Sequence, residues 1–319
     1  MALAALLAVS TGLLVAPTRP VIRVSRGAGV APTMAAQAVT SLETPADTYF
    51  IGVAKGVANS KLSTAKTLHA SLVGGMQVGI GGLLCLVTCG ALPGLAATNP
   101  GFVKFVFASL FPVCLMLILA SGGQLYTGNT ASLVSAYWEG KVTKADVLKS
   151  WGLSWFGNFI GCLSMVWVGS YTGILSGGGA AMVAGMGVAK TAESSFMKMV
   201  VKGIFCNYLV CMAIFLATQA RDMMGRYISI WVAVSTFVMT GYEHSVANMY
   251  LLPAALVAGT TASAKDMIFK NLIPVTIGNG IAGSILVALS FSYAFGKVGG
   301  CARDDECEVG ESGADEPAK

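Results

Sequence analysis

Apolar positions in this chain run together without alternation, and polar positions come in sparse groups. Stretches free of Asp, Glu, Lys and Arg occupy 67–103, 105–138, 150–189, 203–220, 227–242, 245–264 and 271–296. A helix of about 20 apolar residues crosses ~30 Å of hydrocarbon. Spans are therefore predicted near 68–92, 148–175, 199–219 and 270–296.

Two regions do not read as plain spans. The segment 103–139 contains "SGGQLYTGNTAS" (121–132), with three glycines, Asn129 and several hydroxyls, and 226–258 is interrupted by "TGYEHS". Non-helical backbone at membrane depth survives only where protein surrounds it or a watery cavity adjoins it. Counting each broken region as one crossing gives six crossings in two triplets. An odd number per half inverts the second half, and the broken element is second in each. The pattern predicts an all-α membrane protein of two inverted three-helix repeats, with the substrate path where the breaks meet.

The flanking segments differ. Thr44-Pro45-Ala46-Asp47 has a capping threonine followed by proline, and 41–67 carries Lys55, Lys61 and Lys66 in mildly apolar surroundings. That predicts a helix on the membrane surface leading into the first span. Residues 1–40 have a short apolar start, then Arg19, Arg23 and Arg26, with no acid before Glu43. This is the composition of an organelle presequence, and its two-part layout suggests a plastid; the plasma membrane is the alternative. Residues 297–319 read as an acidic disordered tail. "GSYTGILSGGGAAMVAG" (169–185) lacks the Lys-Ser/Thr of a phosphate loop and reads as a flexible inter-span loop.

Composition sharpens the class. The chain has 319 residues, 55% of them hydrophobic and 11% charged, against about 25% charged in ordinary soluble domains. The net charge of +5 comes from scattered lysines and forms no nucleic-acid patch. Basic residues favour the side of the termini (Lys55, Lys61, Lys66, Lys141, Lys144, Lys149, Arg221, Arg226, Lys297, Arg303), which predicts termini in the cytoplasm or stroma. Six of the cysteines lie in apolar runs as small hydrophobes, with no histidine or acid near Cys85 and Cys89 to complete a metal site. Cys301 and Cys307 in the tail could form a redox pair, on a weak sequence signal.

The adjacent Glu243 and His244 fall in one interruption, and His244 is one of only two histidines. An ionisable group inside a membrane marks function by default. Imidazole titrates near neutral pH, so His244 can attract an anion or hand it a proton. The helix restarting near Ser245 adds N–H groups and a dipole that favour anions. Glu243 is expected to anchor the loop to a lysine or a backbone N–H. An enzyme using the two as acid and base is disfavoured: neighbours on a helix do not face each other, and no nucleophile or metal cluster accompanies them. No cofactor is implied. A neutral-solute channel of the aquaporin kind would need paired Asn-Pro-Ala loops, which are absent.

Four segments in order, "GGQLYTGNT", "GIFCNYLVCMAIF" (203–215), "GYEHSVANMYLLP" and "NLIPVTIGN" (271–279), resemble the formate/nitrite transporters over about residues 44–296. With the leader, the chain is similar to the algal plastid nitrite transporters. The resemblance implies an aquaporin-like fold, helices two and five broken, in a homopentamer with one pore per protomer. It implies that Thr127 and His244 act together on nitrite or formate. Asn207, Asn279 and Lys190 would lie on the substrate path. Phe111, Leu115, Leu125, Tyr126, Val210 and Phe237 would form constrictions.

Overall fold

The computed structural model describes residues 42–192 and 195–301. The expected presequence and Cys307 lie outside the described residues, as does the acidic tail from 302 onward.

Eleven helices are distinguished here among the described residues: α1 Pro45–Ser60, α2 Thr64–Gly90, α3 Pro93–Thr98, α4 Pro100–Ser121, α5 Tyr126–Trp138 and α6 Lys144–Tyr171. The second half continues with α7 Gly177–Ala192, α8 Phe196–Gln219, α9 Met223–Thr240, α10 Ser245–Val257 and α11 Ala264–Phe295. Six of them (α2, α4, α6, α8, α9, α11) are long and apolar enough to cross a membrane. α5 and α10 are too short to cross alone, at 13 residues each.

Small residues set the packing. α2 lies along α6 and α8 along α11, while α5 rests on α11 and α10 on α6. A Cβ on Gly157 would press on the Leu68 carbonyl, and one on Gly278 on the Val200 carbonyl. Only glycine permits such backbone approach between membrane helices.

α4 bends at Phe111–Pro112, because Pro112 has no N–H to give the carbonyl four residues back. The released Ala108 carbonyl accepts from Ser235 Oγ at 3.0 Å, and the adjacent Ser109 carbonyl from Trp231 Nε1 at 3.1 Å. The bend thereby ties α4 to α9. α11 has wider π-type turns at Met267–Leu272 and Ala282–Leu289, the first just before Pro274.

One expectation needs correction. The glycine-rich stretch 169–185 is not one flexible loop: 169–171 closes α6, 172–176 connects, and 177–185 opens α7. Gly178 and Gly179 of α7 meet Gly90 of α2 backbone to backbone, with no room for a Cβ at Gly90 or Gly178. Glycine serves contact there, not flexibility. The helix predicted for the membrane surface is α1, capped by the Thr44 hydroxyl with Pro45 in its first turn. Its inner face (Tyr49, Val53, Gly56) is buried against α5.

Around α1 the chain is laced down. The Glu43 N–H donates to the Gln219 carbonyl at 2.9 Å, and the Arg221 guanidinium meets the Glu43 carboxylate at 2.8 and 3.0 Å. At the far end of α5, Glu139 accepts from the Tyr49 hydroxyl and from Ser292 Oγ, both at 2.7 Å.

Candidate functional site

Each break is opened by a glycine. Gly122 ends α4 and Gly241 ends α9, with φ of 79° and 81°, a left-handed backbone that glycine adopts without strain. Four residues later the chain begins a short helix, at Tyr126 and at Ser245.

The same hydrogen-bond plan holds both restarts. In the first half, Asn158 Oδ1 accepts the Tyr126 N–H at 2.9 Å. Its Nδ2 donates to the carbonyls of Ser71 and Gln124 at 2.7 and 2.8 Å. In the second half, Asn279 Oδ1 accepts the Ser245 N–H at 2.8 Å. Its Nδ2 donates to the carbonyls of Gly203 and Glu243 at 2.8 and 3.1 Å. Asn129 Nδ2 donates to Gln124 Oε1, and Asn248 Nδ2 to Glu243 Oε2. Buried helix starts leave donors without partners, and a membrane core makes such orphans costly. Asn158 and Asn279 meet that need.

The halves differ in charge. Gln124 is held by Asn59 at 3.2 Å, an amide on an amide. At the matching place Glu243 is held by Lys190 at 2.8 Å, a carboxylate on an ammonium, backed by Asn248 and Asn271. Glu243 is thus an anchor, and the lysine it binds is the one expected on the path.

His244 caps α10. Its Nδ1 accepts the Ala247 N–H at 3.0 Å, and Nε2 lies 3.2 Å from Thr127 Oγ1 at the start of α5. An Nδ1 that accepts carries no proton in the neutral ring, so the network assigns hydrogen to Nε2. His244 therefore donates to Thr127, and that hydroxyl keeps its own hydrogen to offer. Phe237 stacks on the imidazole, with centroids 5.8 Å apart, and meets Phe111 edge-on at 6.4 Å.

Two cavities approach this centre. One, about 540 Å³, is bordered by Phe111, Phe237, His244, Glu243, Lys190 and Lys104. The other, about 100 Å³, is bordered by Leu115, Leu125, Gln124, Asn129 and Lys55. Four of the expected constriction residues, Phe111, Phe237, Leu115 and Leu125, line one or other of these cavities. Thr127 and Val210 are buried and border neither.

Three of the expected path residues make their hydrogen bonds to protein groups. Tyr126 borders neither cavity: its hydroxyl donates to the Thr276 carbonyl at 3.1 Å and its ring packs on Trp151. Asn207 is also withdrawn, its Nδ2 donating to Asn279 O at 2.7 Å, Thr130 Oγ1 at 3.0 Å and Thr127 O at 3.3 Å. Asn279, as described, fastens the second restart. Buried backbone groups at the breaks claim the hydrogen bonds of these side chains.

Asn158, Gln124, Asn248 and Asn271 were not singled out from the sequence. A signal for Asn158 exists: "GNFIG" (157–161) in α6 is echoed by "GNGIA" (278–282) in α11.

Six membrane-capable helices, two short helices meeting start to start, and a polar centre between apolar walls define an integral membrane protein of the channel or transporter class. Residues 46–293 match the family model described as "Formate/nitrite transporter", and the chain belongs to that family. It is 31% identical over 273 residues to a probable formate transporter of Methanothermobacter thermautotrophicus, covering 80% of this chain and 98% of the relative. A solved FNT family ion channel superposes with a TM-score of 0.71 at 26% identity, covering 78% of this chain and 98% of its own. A solved pentameric formate channel with formate bound has the same fold, with a TM-score of 0.64 at 24% identity over 73% of this chain and 97% of its own.

Proposed function

We propose that the chain is a channel for small monovalent anions, formate and nitrite foremost, working as a homopentamer with a pore in each protomer. The observation that carries this reading is the meeting of His244 Nε2 with Thr127 Oγ1 at 3.2 Å, where the two breaks adjoin. The family membership supports the substrate class, and the formate-bound neighbour supports formate.

The chemistry follows from the polarity of the path. Phenylalanine and leucine walls at Phe111, Phe237, Leu115 and Leu125 oppose a bare anion, since desolvating a charge is costly. The Thr127 hydroxyl and the Nε2–H are donors for a carboxylate or nitrite oxygen, and the nearby start of α10 adds a favourable dipole. A proton taken up at Nδ1, with the Ala247 N–H released from it, makes imidazolium, which attracts the anion. If Nε2–H then passes its proton to the anion, a neutral acid leaves and a neutral ring remains with hydrogen on Nδ1. The neutral acid crosses an apolar slit more cheaply than the anion.

The two halves read as inverted repeats, with the termini in the cytoplasm or stroma. The leader favours a plastid inner envelope, and in that setting nitrite import is the function we assign. No enzymatic role is assigned. Proteoliposomes holding the purified chain test the reading through uptake of labelled formate and of nitrite from pH 5 to 8. Uptake that rises as pH falls, and is lost in His244→Asn, supports it; vesicles impermeable to both anions overturn it.

A further inference from the structure

We infer that Lys104 is the residue that draws the anion into the wider cavity, ahead of Lys190. This rests on the channel reading above.

The charged side chains bordering that cavity are Lys104, Lys190 and Glu243, beside His244. Lys190 lies 2.8 Å from Glu243, whose carboxylate also accepts from Asn248 and Asn271. The pair cancels as seen from a distance. Lys104 forms no ion pair among the described residues, so the net positive charge of this cavity is its own.

Its place on α4 fits the role. Lys104, Phe107 and Phe111 all border the cavity, and positions three and seven apart share a helix face. The rise along the helix puts Lys104 about 10 Å from Phe111. Phe111 touches Phe237, which stacks on His244. An exposed ammonium thus stands at one end of an apolar stripe and the Thr127–His244 donors at the other. Low-dielectric cavity walls focus the field of such a charge and raise the local concentration of counter-ions. The ligand class is a small monovalent anion. Lys104 acts on its capture and leaves passage to the inner residues.

The test is formate uptake by proteoliposomes carrying wild type, Lys104→Gln or Lys104→Arg, each as a function of formate concentration. Uptake is measured at about 20 mM and about 500 mM ionic strength, where the Debye length falls from roughly 20 Å to under 5 Å. At low salt, Lys104→Gln should raise the half-saturating concentration on the order of three- to tenfold and leave the maximal rate unchanged. Lys104→Arg should restore the wild-type value, and high salt should erase the difference. Equal half-saturation for Lys104→Gln and wild type at low salt overturns the inference, as does failure of arginine to restore it. Wild-type vesicles that carry no formate overturn the channel reading itself, a different result from a working channel indifferent to Lys104.

Discussion

Asn158 and Asn279 do the same work in the two halves: each side-chain oxygen takes the first N–H of a short helix, and each amide nitrogen bridges two carbonyls. The pairing makes a stability prediction. Asn158→Ala and Asn279→Ala each leave buried backbone groups without partners, at about 1–3 kcal/mol for a group so stranded. Both variants should lower the thermal midpoint in detergent by similar amounts. A shift in one with none in the other would contradict equivalent roles.

His244 should divide into a structural and a chemical part. Asparagine is a good helix cap and alanine is not, a difference of about 1 kcal/mol. His244→Asn should therefore unfold near wild type, and His244→Ala earlier. Both should lose the rise of anion uptake at low pH, since neither side chain titrates. Calorimetry and flux on the same preparations check the two parts.

The Lys190–Glu243 pair should respond as a buried pair does. Removing one partner strands the other, a loss on the order of 3–5 kcal/mol when burial is complete and less here, where the lysine is partly exposed. Glu243→Gln and Lys190→Gln should each destabilise. The double variant, which approximates the Gln124–Asn59 chemistry of the other half, should recover much of the loss. A double-mutant cycle on thermal unfolding measures the coupling.

The Glu43 carboxyl sits below the usual carboxylate range because the Arg221 guanidinium hydrogen-bonds to it. A group with a depressed folded-state pKa stabilises above its ordinary value, and the contribution disappears as pH falls through the depressed one. The fastening of the chain ahead of α1 should hold at neutral pH and loosen in acid below the ordinary carboxylate range. Hydrogen exchange at the Glu43 amide, compared between wild type and Arg221→Gln, checks this. The pair is exposed, so only a few-fold change in protection is expected at neutral pH.

The spans and breaks were legible because hydrocarbon punishes polar groups along its whole depth, which turns apolar run length into a direct measure. The first break could be placed at "SGGQLYTGNT" and the second at "TGYEHS" for the same reason. The roles of individual polar side chains were less legible. Asn207, Asn279 and Tyr126 have the polarity of path-lining groups, and nothing in one chain's residue order tells a hydrogen bond to a permeating anion from one to a buried carbonyl. The glycines of α7 misled in another way. A glycine run has the same composition whether it supplies bending or close contact, and only the position of Gly90 across from it decides.

The two breaks agree in hydrogen bonds and differ in charge, with amides at Asn59 and Gln124 and ions at Lys190 and Glu243. The consequence is electrical polarity in a path whose two breaks share one hydrogen-bond plan. An anion arriving from one side meets the Gln124–Asn59 amides next to the centre, and one arriving from the other side meets the opposed full charges of Lys190 and Glu243. Inward and outward journeys therefore read one lopsided barrier profile in opposite directions, and a transmembrane voltage changes the two fluxes unequally.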